Sequence, residues 1–227
     1  MKAGPQTWTV PVGEAGTTTA TFEPASSSSG VVFVCAHGAG GHMEDRSILA
    51  ITRALRAHGI DTVRFNFLYT EQKRRRPDPM PDLIACVDAV AAHVRTALAP
   101  RLLILGGRSM GGRAASMLVA NGPACDGLLL LAYPLHPPGR PGQLRVDHLG
   151  RIRVPVLCLN GTRDLFCTPA LMERALATFD PSWRMHWLEG ADHSFHVLKR
   201  SGRTDDDVLL EAAREAATWC AGIAPLR

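Results

Sequence analysis

The segment that most constrains this chain is residues 102–120, LLILGGRSMGGRAASMLVA. Apolar residues that favour strands end on four glycines around Arg-Ser-Met, and small residues compatible with a helix follow at once. This pattern is typical of a buried strand that turns sharply into a helix. The segment therefore predicts a strand, a tight turn and a helix in succession, with Ser109 in the turn.

Ser109 is the centre of the pattern G-x-S-x-G, in which the glycines are Gly107 and Gly111. When such a turn serves as a nucleophile elbow, its serine has a strained backbone and the residues two positions away must be small. Strain of this kind costs about 1–3 kcal/mol and persists only where the surrounding structure enforces it. The five residues fit either a nucleophilic serine or a glycine-rich turn with an inert serine, so the rest of the chain must decide.

Segments of strand and helix character alternate along the chain, after a threonine-rich hairpin predicted at the sheet edge. The predicted segments are the hairpin at 7–12 and 17–24, strands at 31–41 (ending in a glycine loop), 61–67, 101–108, 127–135, 154–161 and 184–190, and helices at 45–59, 81–98, after the elbow, at 169–179 and at 205–220. Such alternation predicts a three-layer α/β fold, with a mostly parallel sheet covered by helices on both faces. We expect one domain over 1–227 and an open site without a cap domain, because the connection between the strands at 127–135 and 154–161 is short.

Length and charge limit the classes of partner. The chain has 227 residues and a formal net charge of +4, which does not indicate nucleic-acid binding. The basic run KRRRP at 73–77 is interpreted as a solvated loop, with a nuclear localisation signal or a substrate-facing patch as alternatives.

The N-terminal residues lack the apolar core of a signal peptide, and no apolar segment reaches the roughly 18 residues of a membrane span. We expect a cytoplasmic protein, a monomer or homodimer, that binds no membrane.

The six cysteines are scattered without a C-x-x-C pair, and several lie in apolar strands such as those containing Cys35 and Cys158. They are interpreted as reduced, buried thiols. Cysteine, histidine and carboxylate residues show no spacing typical of zinc ligands. We therefore expect neither a metal nor another cofactor.

A serine hydroxyl becomes nucleophilic when an imidazole takes its proton and a carboxylate orients that imidazole. Asp164 in NGTRD and His193 in GADHSF follow Ser109, each just past a predicted strand, where ligands bind in open α/β sheets. They are the predicted acid and base. His196 is the rival base and Asp147 the reserve acid, whereas Asp192 is too close to His193 in the chain to reach behind its ring.

Acyl transfer also requires backbone N–H groups that stabilise the oxyanion of the tetrahedral intermediate. The predicted donors are Met110, which follows the nucleophile, and Ala39 in the loop HGAGG, with Gly40 as the alternative. A phosphate loop is the other interpretation of HGAGG, but the lysine and spacing of a P-loop are missing. Seven apolar residues lie near the predicted strand ends, and most of them are expected in the core. Three of them, Phe67, Tyr133 and Phe166, are predicted to contact substrate. The other four are Leu68, Tyr69, Leu135 and Phe195.

Arg108 directly precedes the nucleophile, and its permanent charge requires a role. It is interpreted as a brace that pairs with a carboxylate and holds neighbouring loops. The alternative is a bidentate contact with an anionic group of the substrate.

Four motifs, GGRSMGGRAA, YPLHPPGRPGQLR, NGTRDLF and ADHSF, give the chain a resemblance to the α/β-hydrolase superfamily over nearly its whole length. They resemble a small cap-less branch that includes dienelactone-hydrolase-like proteins and the group of NSL complex subunit three and testis-expressed thirty. The resemblance implies a serine hydrolase fold with Ser109, Asp164 and His193 as the triad. Dienelactone hydrolases proper use a cysteine nucleophile, so Ser109 departs from their pattern.

Two functions from different classes fit these observations. The first is a serine hydrolase that acts on a small acyl ester or thioester through an acyl-enzyme, and the second is a non-catalytic interaction module of a larger assembly, as some members of the narrower group are thought to be. An intact triad favours the enzyme, and the lack of a long additional docking segment disfavours the module. A serine peptidase is a third hypothesis, but the chain has no propeller or cap to select peptides.

Overall fold

The structure is a computed structural model that describes residues 4–122, 124–178 and 183–224. The strands in these residues are β1 (Gln6–Pro11), β2 (Thr17–Glu23), β3 (Val31–Ala36), β4 (Ile60–Phe65), β5 (Leu102–Arg108), β6 (Gly127–Leu131), β7 (Val156–Gly161) and β8 (Trp183–Leu188). The helices are α1 (Arg46–Ala57), α2 (Leu68–Glu71), α3 (Met80–Leu98), α4 (Met110–Val119), α5 (Pro169–Leu176) and α6 (Asp205–Ala221). Single 3-10 turns lie at Leu149–Arg151 and Lys199–Ser201.

The strands form one sheet in the order β1-β2-β4-β3-β5-β6-β7-β8. β1 pairs with β2 and β2 with β4 in antiparallel fashion, while every pair from β4 to β8 is parallel. The chain leaves β3 for β4 on one side and later enters β5 on the other side. Ligands bind at such a reversal of strand order, beyond the carboxyl ends of the strands. The loops after β3 and β5 meet at this place.

Helices cover both faces of the sheet because the central strands are buried on both sides. In β3, Val32 and Val34 pack into the core layer that also contains residues of α3, α4 and α5. Phe33 and Cys35 point to the opposite layer, which α1 and α6 complete. Such continuous apolar strands are typical of a parallel sheet between two helical layers. The predicted three-layer α/β fold is thus confirmed.

Most predicted elements are present, and the differences have local causes. The strand predicted at 127–135 ends at Leu131, because Ala132 has a φ of +51° and breaks the extended backbone. The strand predicted at 61–67 ends at Phe65, and the unpredicted four-residue helix α2 follows, too short to carry a periodic pattern. α5 ends at Leu176, and position 179, where its end was predicted, lies outside the described residues.

The connection between β6 and β7, residues 132–155, contains a single 3-10 turn and no α-helix. It therefore holds no separate cap over the sheet. All six cysteines are buried and unbonded to one another, as predicted. Among the described residues, no helix has both the length and the hydropathy needed to cross a bilayer.

Candidate active site

The turn between β5 and α4 holds Ser109 in a strained conformation, with φ 50° and ψ −113°. Its backbone N–H donates to the carbonyl of Leu131 at the end of β6, at 2.9 Å. A Cβ on Gly107 would lie 2.2 Å from the carbonyl oxygen of Ala36, and one on Gly111 would lie 2.5 Å from the same atom. Both positions therefore require glycine, as the elbow pattern predicts.

Ser109, His193 and Asp164 form a continuous hydrogen-bonded chain. The Ser109 Oγ lies 3.0 Å from His193 Nε2, and His193 Nδ1 lies 2.8 Å from Asp164 Oδ2. With Asp164 ionised, Nδ1–H donates to its carboxylate, which leaves Nε2 free to accept the serine proton. Asp164 is fully buried, whereas His193 is about one-fifth exposed and faces the cleft. This arrangement orients the imidazole of His193 as the predicted triad requires.

Asp164 is held by groups on both of its oxygens. Oδ1 accepts the backbone N–H of Phe166 at 2.8 Å, and Oδ2 also accepts the side-chain amide of Asn160 at 3.1 Å. Asn160 is itself fixed through the N–H and C=O of Tyr133. The end of β7 is thereby joined to the segment that follows β6. These contacts fix the carboxylate behind His193 and satisfy its buried charge.

The glycine loop after β3 lies beside Ser109. In the described part of the chain, the N–H groups of Ala39 and Met110 donate to no protein acceptor, whereas that of Gly40 donates to Tyr69 Oη at 3.2 Å. His37 anchors the loop, because its Nδ1 donates to Gly38 O and its Nε2 accepts the N–H of Phe67. Burial lowers the pKa of His37, which keeps its imidazole neutral for both contacts. Ala39 and Met110 are therefore available to an oxyanion, and Gly40 is engaged.

A cleft of about 570 Å³ opens above Ser109. Its lining includes Ala39, Met110, Phe166 and His193. The ring of Phe166 packs against the imidazole of His193 with centroids 4.4 Å apart. One wall of the cleft is thus apolar and borders the base.

Arg108 ties the loop of the base to the elbow. Its Nη2 donates to the carbonyl of His193 at 2.8 Å and to Ser194 Oγ at 3.3 Å. Burial lowers the pKa of its guanidinium, while the carboxylates of Asp192 and Asp164 act in the opposite direction. Within the described residues Arg108 forms no ion pair closer than 4 Å. The brace interpretation thus fits the contacts, but its partner is a backbone carbonyl rather than a carboxylate.

Comparison with known protein families shows the family to which this chain belongs. A family model described as an alpha/beta hydrolase domain matches residues 29–221. The chain belongs to this alpha/beta hydrolase family. The match includes β3 to β8 and every residue of the hydrogen-bonded chain described above.

Solved structures similar to this α/β-hydrolase share its fold across nearly the whole chain. One is an alpha-beta serine hydrolase homologue from Coxiella burnetii, with 17% identity, a TM-score of 0.75 and coverage of 96% of this chain and 98% of that one. A lid-less α/β serine hydrolase from Xanthomonas campestris has 22% identity, a TM-score of 0.74 and coverage of 95% and 96%. A dienelactone hydrolase from Anabaena variabilis has 21% identity, a TM-score of 0.73 and coverage of 98% and 100%. At these identities the likeness concerns the fold alone.

The predicted triad residues are brought together, and their rivals are not. His196 pairs with Asp205 on the surface, at 3.0 Å. Asp192 accepts the N–H groups of Ser194 and His196 and so shapes the loop of the base. Asp147 is exposed and contacts Arg151 through its backbone carbonyl.

Of the residues predicted to contact substrate, Phe166 lines the cleft and two others do not. Phe67 is fully buried between Phe65 and Tyr69, and its backbone N–H donates to His37. Tyr133 is fully buried, and its hydroxyl donates to the carbonyl of Arg145. Each predicted strand ends before its aromatic residue, at Phe65 and at Leu131, and the segment that follows packs that residue into the core. Neither side chain lines the cleft, and a contact of either with substrate stays a prediction.

Sequence reasoning missed four residues with a place at the site. Arg113 lines the cleft from α4, and its spacing of four residues from Ser109 was a usable signal, because such residues share one helix face. Arg145 lines the cleft from the loop after β6, and Asn160 and His37 support its walls. These three carry no periodic signal. The described residues contain no group of three or more His, Cys, Asp or Glu arranged to hold a metal, and the expected absence of a metal stays a prediction.

Proposed function

We propose that this α/β-hydrolase cleaves a small acyl ester or thioester through an acyl-enzyme formed on Ser109. The observation that carries the proposal is the hydrogen-bonded chain from Ser109 Oγ through His193 to the buried Asp164. It lies beside two backbone N–H groups that have no acceptor among the described residues, those of Ala39 and Met110. A nucleophile, a base, an orienting acid and oxyanion donors are the complete requirements of acyl transfer.

In the acylation step, Ser109 Oγ attacks the carbonyl carbon of the substrate while His193 Nε2 takes the hydroxyl proton. Asp164 stabilises the resulting imidazolium, and the N–H groups of Ala39 and Met110 donate to the oxyanion. The tetrahedral intermediate then breaks its bond to the leaving alkoxide or thiolate, which receives the proton from His193. Water, deprotonated by the same imidazole, attacks the acyl-enzyme and releases the acid with Ser109 restored.

The shape of the site supports a small substrate. The cleft has a volume of about 570 Å³, and the connection between β6 and β7 provides no α-helix above it.

The six buried thiols, unbonded to one another, support a reducing and hence cytoplasmic location.

The proposal is tested with a fluorophosphonate probe, which labels only an activated serine, followed by a panel of aryl esters and thioesters. We expect the native protein to be labelled and to hydrolyse short acyl esters. Ser109→Ala should lose labelling and about a thousandfold or more of turnover, while its circular dichroism and melting temperature stay those of a folded protein.

Ser201→Ala is the matched control, because Ser201 lies in an exposed 3-10 turn and its hydroxyl donates to the carbonyl of Leu198. It should be labelled like the native protein. Labelling of Ser109→Ala would contradict the assignment of the nucleophile. A folded native protein that is neither labelled nor active on any ester would favour the interaction module instead.

A further inference from the structure

The cleft above Ser109 is lined by three arginines, Arg108, Arg113 and Arg145. Arg108 is engaged with the loop of the base. The other two have no role in the acyl-transfer chemistry described above. A neutral ester gives no physical reason for two further guanidinium groups at the wall of the cleft.

Arg113 lies one helical turn beyond the nucleophile. It stands four residues after Ser109, about 6 Å along the axis of α4, and on the same side of the helix. Its side chain makes no hydrogen bond or ion pair with any described residue, and its Nε is buried without an acceptor. The guanidinium charge of Arg113 thus has no partner among the described residues, and an oxyanion that enters the cleft can accept from its remaining N–H groups.

Arg145 faces Arg113 from the loop after β6. Among the described residues its side chain makes one hydrogen bond, a long one from Nη1 to the carbonyl of Pro134 at 3.5 Å. Burial lowers the pKa of its guanidinium, and the charge of Arg113 lowers it further. Two like charges are therefore held near each other, and no carboxylate of the described residues lies within 4 Å of either.

The carboxylates that do line the cleft are already engaged. Asp45 accepts the backbone N–H of His42 and pairs with the ring of the same residue. Asp78 accepts the backbone N–H of Tyr69 and pairs with Arg74. Neither neutralises Arg113 or Arg145. The charge of these two guanidinium groups remains available to a group that enters from solvent.

We propose that Arg113 and Arg145 form a subsite for an anionic oxygen group of the substrate, a carboxylate or a phosphate, so that the ester cleaved is a charged one. Guanidinium groups bind both kinds of oxyanion through paired N–H donors. The inference rests on the proposed function, because it names the class of substrate for the same site. An anionic group several bonds from the scissile carbonyl, as in a half-ester of a dicarboxylic acid, matches the offset between Ser109 and Arg113.

The first experiment compares two esters of equal chain length, the mono-4-nitrophenyl ester of adipic acid and 4-nitrophenyl hexanoate. We expect the native protein to have a kcat/KM about tenfold or more higher for the charged ester. Arg113→Gln and Arg145→Gln should each reduce this ratio about tenfold. Arg113→Lys, which keeps the charge but not the paired donors, should retain part of the preference. 4-Carboxyphenyl acetate against phenyl acetate then shows on which side of the ester the anion binds.

Arg140→Gln is the matched control, because Arg140 is exposed in the same loop as Arg145 and does not line the cleft. It should keep the native ratio. A native ratio near one for both pairs of esters, or an equal loss in Arg140→Gln, would overturn the subsite. The melting temperature of each variant shows that it is folded, and removal of either of two like charges should not lower it.

A second experiment separates this inference from the proposed function. Adipate and inorganic phosphate are titrated into Ser109→Ala by calorimetry, which needs no turnover. Binding to Ser109→Ala that is lost in the Ser109→Ala/Arg113→Gln double variant supports the subsite even if fluorophosphonate labelling of the native protein fails. Tighter binding of adipate or of phosphate shows whether the subsite takes a carboxylate or a phosphate group. The native protein could instead be labelled but bind neither anion and show no preference for charged esters. That result would support the proposed hydrolase function and reject the subsite.

Discussion

At the scale of single residues, the site depends on close approach of backbone atoms. Gly111 is the second residue of α4, two positions after Ser109, and a Cβ there would lie 2.5 Å from the carbonyl oxygen of Ala36 and 2.6 Å from that of His37. Those carbonyls belong to the end of β3 and the start of the loop that carries Ala39. The separation between the two predicted oxyanion donors is therefore set by a residue that bears no functional group.

Gly111→Ala should consequently harm both stability and chemistry. Backbone atoms must shift to admit the methyl group, at a cost of about 1–3 kcal/mol in the free energy of unfolding. The same shift moves Met110 away from Ala39, so the rate of fluorophosphonate labelling should fall. Urea unfolding and the labelling rate measure the two effects.

The control for this substitution is Gly142→Ala, because a Cβ on Gly142 meets nothing within 4 Å. Its unfolding midpoint and labelling rate should match those of the native protein. If Gly111→Ala behaved in the same way, close packing at the elbow would not be what positions the donors.

At the scale of elements, the site is formed by loops that follow different strands. Contacts between these loops fix their positions relative to one another. Arg108 at the end of β5 reaches the carbonyl of His193 beyond β8, two strands further than its own neighbour β6. Asn160 at the end of β7 joins Asp164 to Tyr133 after β6. His193 and Asp164 are thus located by neighbours in the sheet as well as by their own loops.

Arg108→Met should therefore reduce activity on charged and neutral esters by the same factor. It removes the hydrogen bond to the His193 carbonyl, so the loop of the base loses a fixed contact, and hydrogen bonds from charged donors contribute about 1.5–3 kcal/mol. We expect kcat to fall more than KM rises, and the melting temperature to decrease. A stable variant with a selective loss on charged esters would show instead that Arg108 binds the substrate anion.

The sequence could predict individual residues of this site better than the contacts between residues that are distant in the chain. Gly107, Ser109 and Gly111 follow from local sterics, and the order of Ser109, Asp164 and His193 follows from the positions of strand ends. Phe67 and Tyr133 could not be separated from Phe166, because all three are aromatic residues after predicted strands and only the packing of neighbouring elements decides which one reaches the cleft. Arg145 and Asn160 act through residues distant in the chain, and no local pattern reports such contacts.

At the scale of the whole molecule, buried histidines link stability to pH. His148 is buried beside Ser116, with its Nε2 2.8 Å from the Ser116 hydroxyl. Burial lowers its pKa to about 4, and the charges of Arg113 and Arg151 act in the same direction. Burial also lowers the pKa of His37. The folded protein therefore resists protonation at both positions, whereas the unfolded chain accepts protons near the ordinary histidine value of about 6.5.

The sign of the effect on stability follows from proton uptake. Below about pH 6.5 the unfolded state binds more protons than the folded state, so the free energy of unfolding falls as pH falls. The contribution of His148 is complete above pH 6.5, is lost progressively toward pH 4, and changes no further below that value. His196 acts in the opposite direction, because its contact with Asp205 raises its pKa, but this pair is exposed and contributes little.

His148→Gln should make stability less dependent on pH between 7 and 5, a range chosen because most carboxylates titrate below it. The slope of unfolding free energy against pH, from urea titrations, should decrease by at most about one proton relative to the native protein, since a neutral amide replaces one group that the unfolded state protonates. His58→Gln, a change at an exposed histidine at the end of α1, serves as the control and should keep the native slope. A native slope in His148→Gln would mean that burial of His148 does not cause the acid sensitivity, and that His37 or the carboxylates set it.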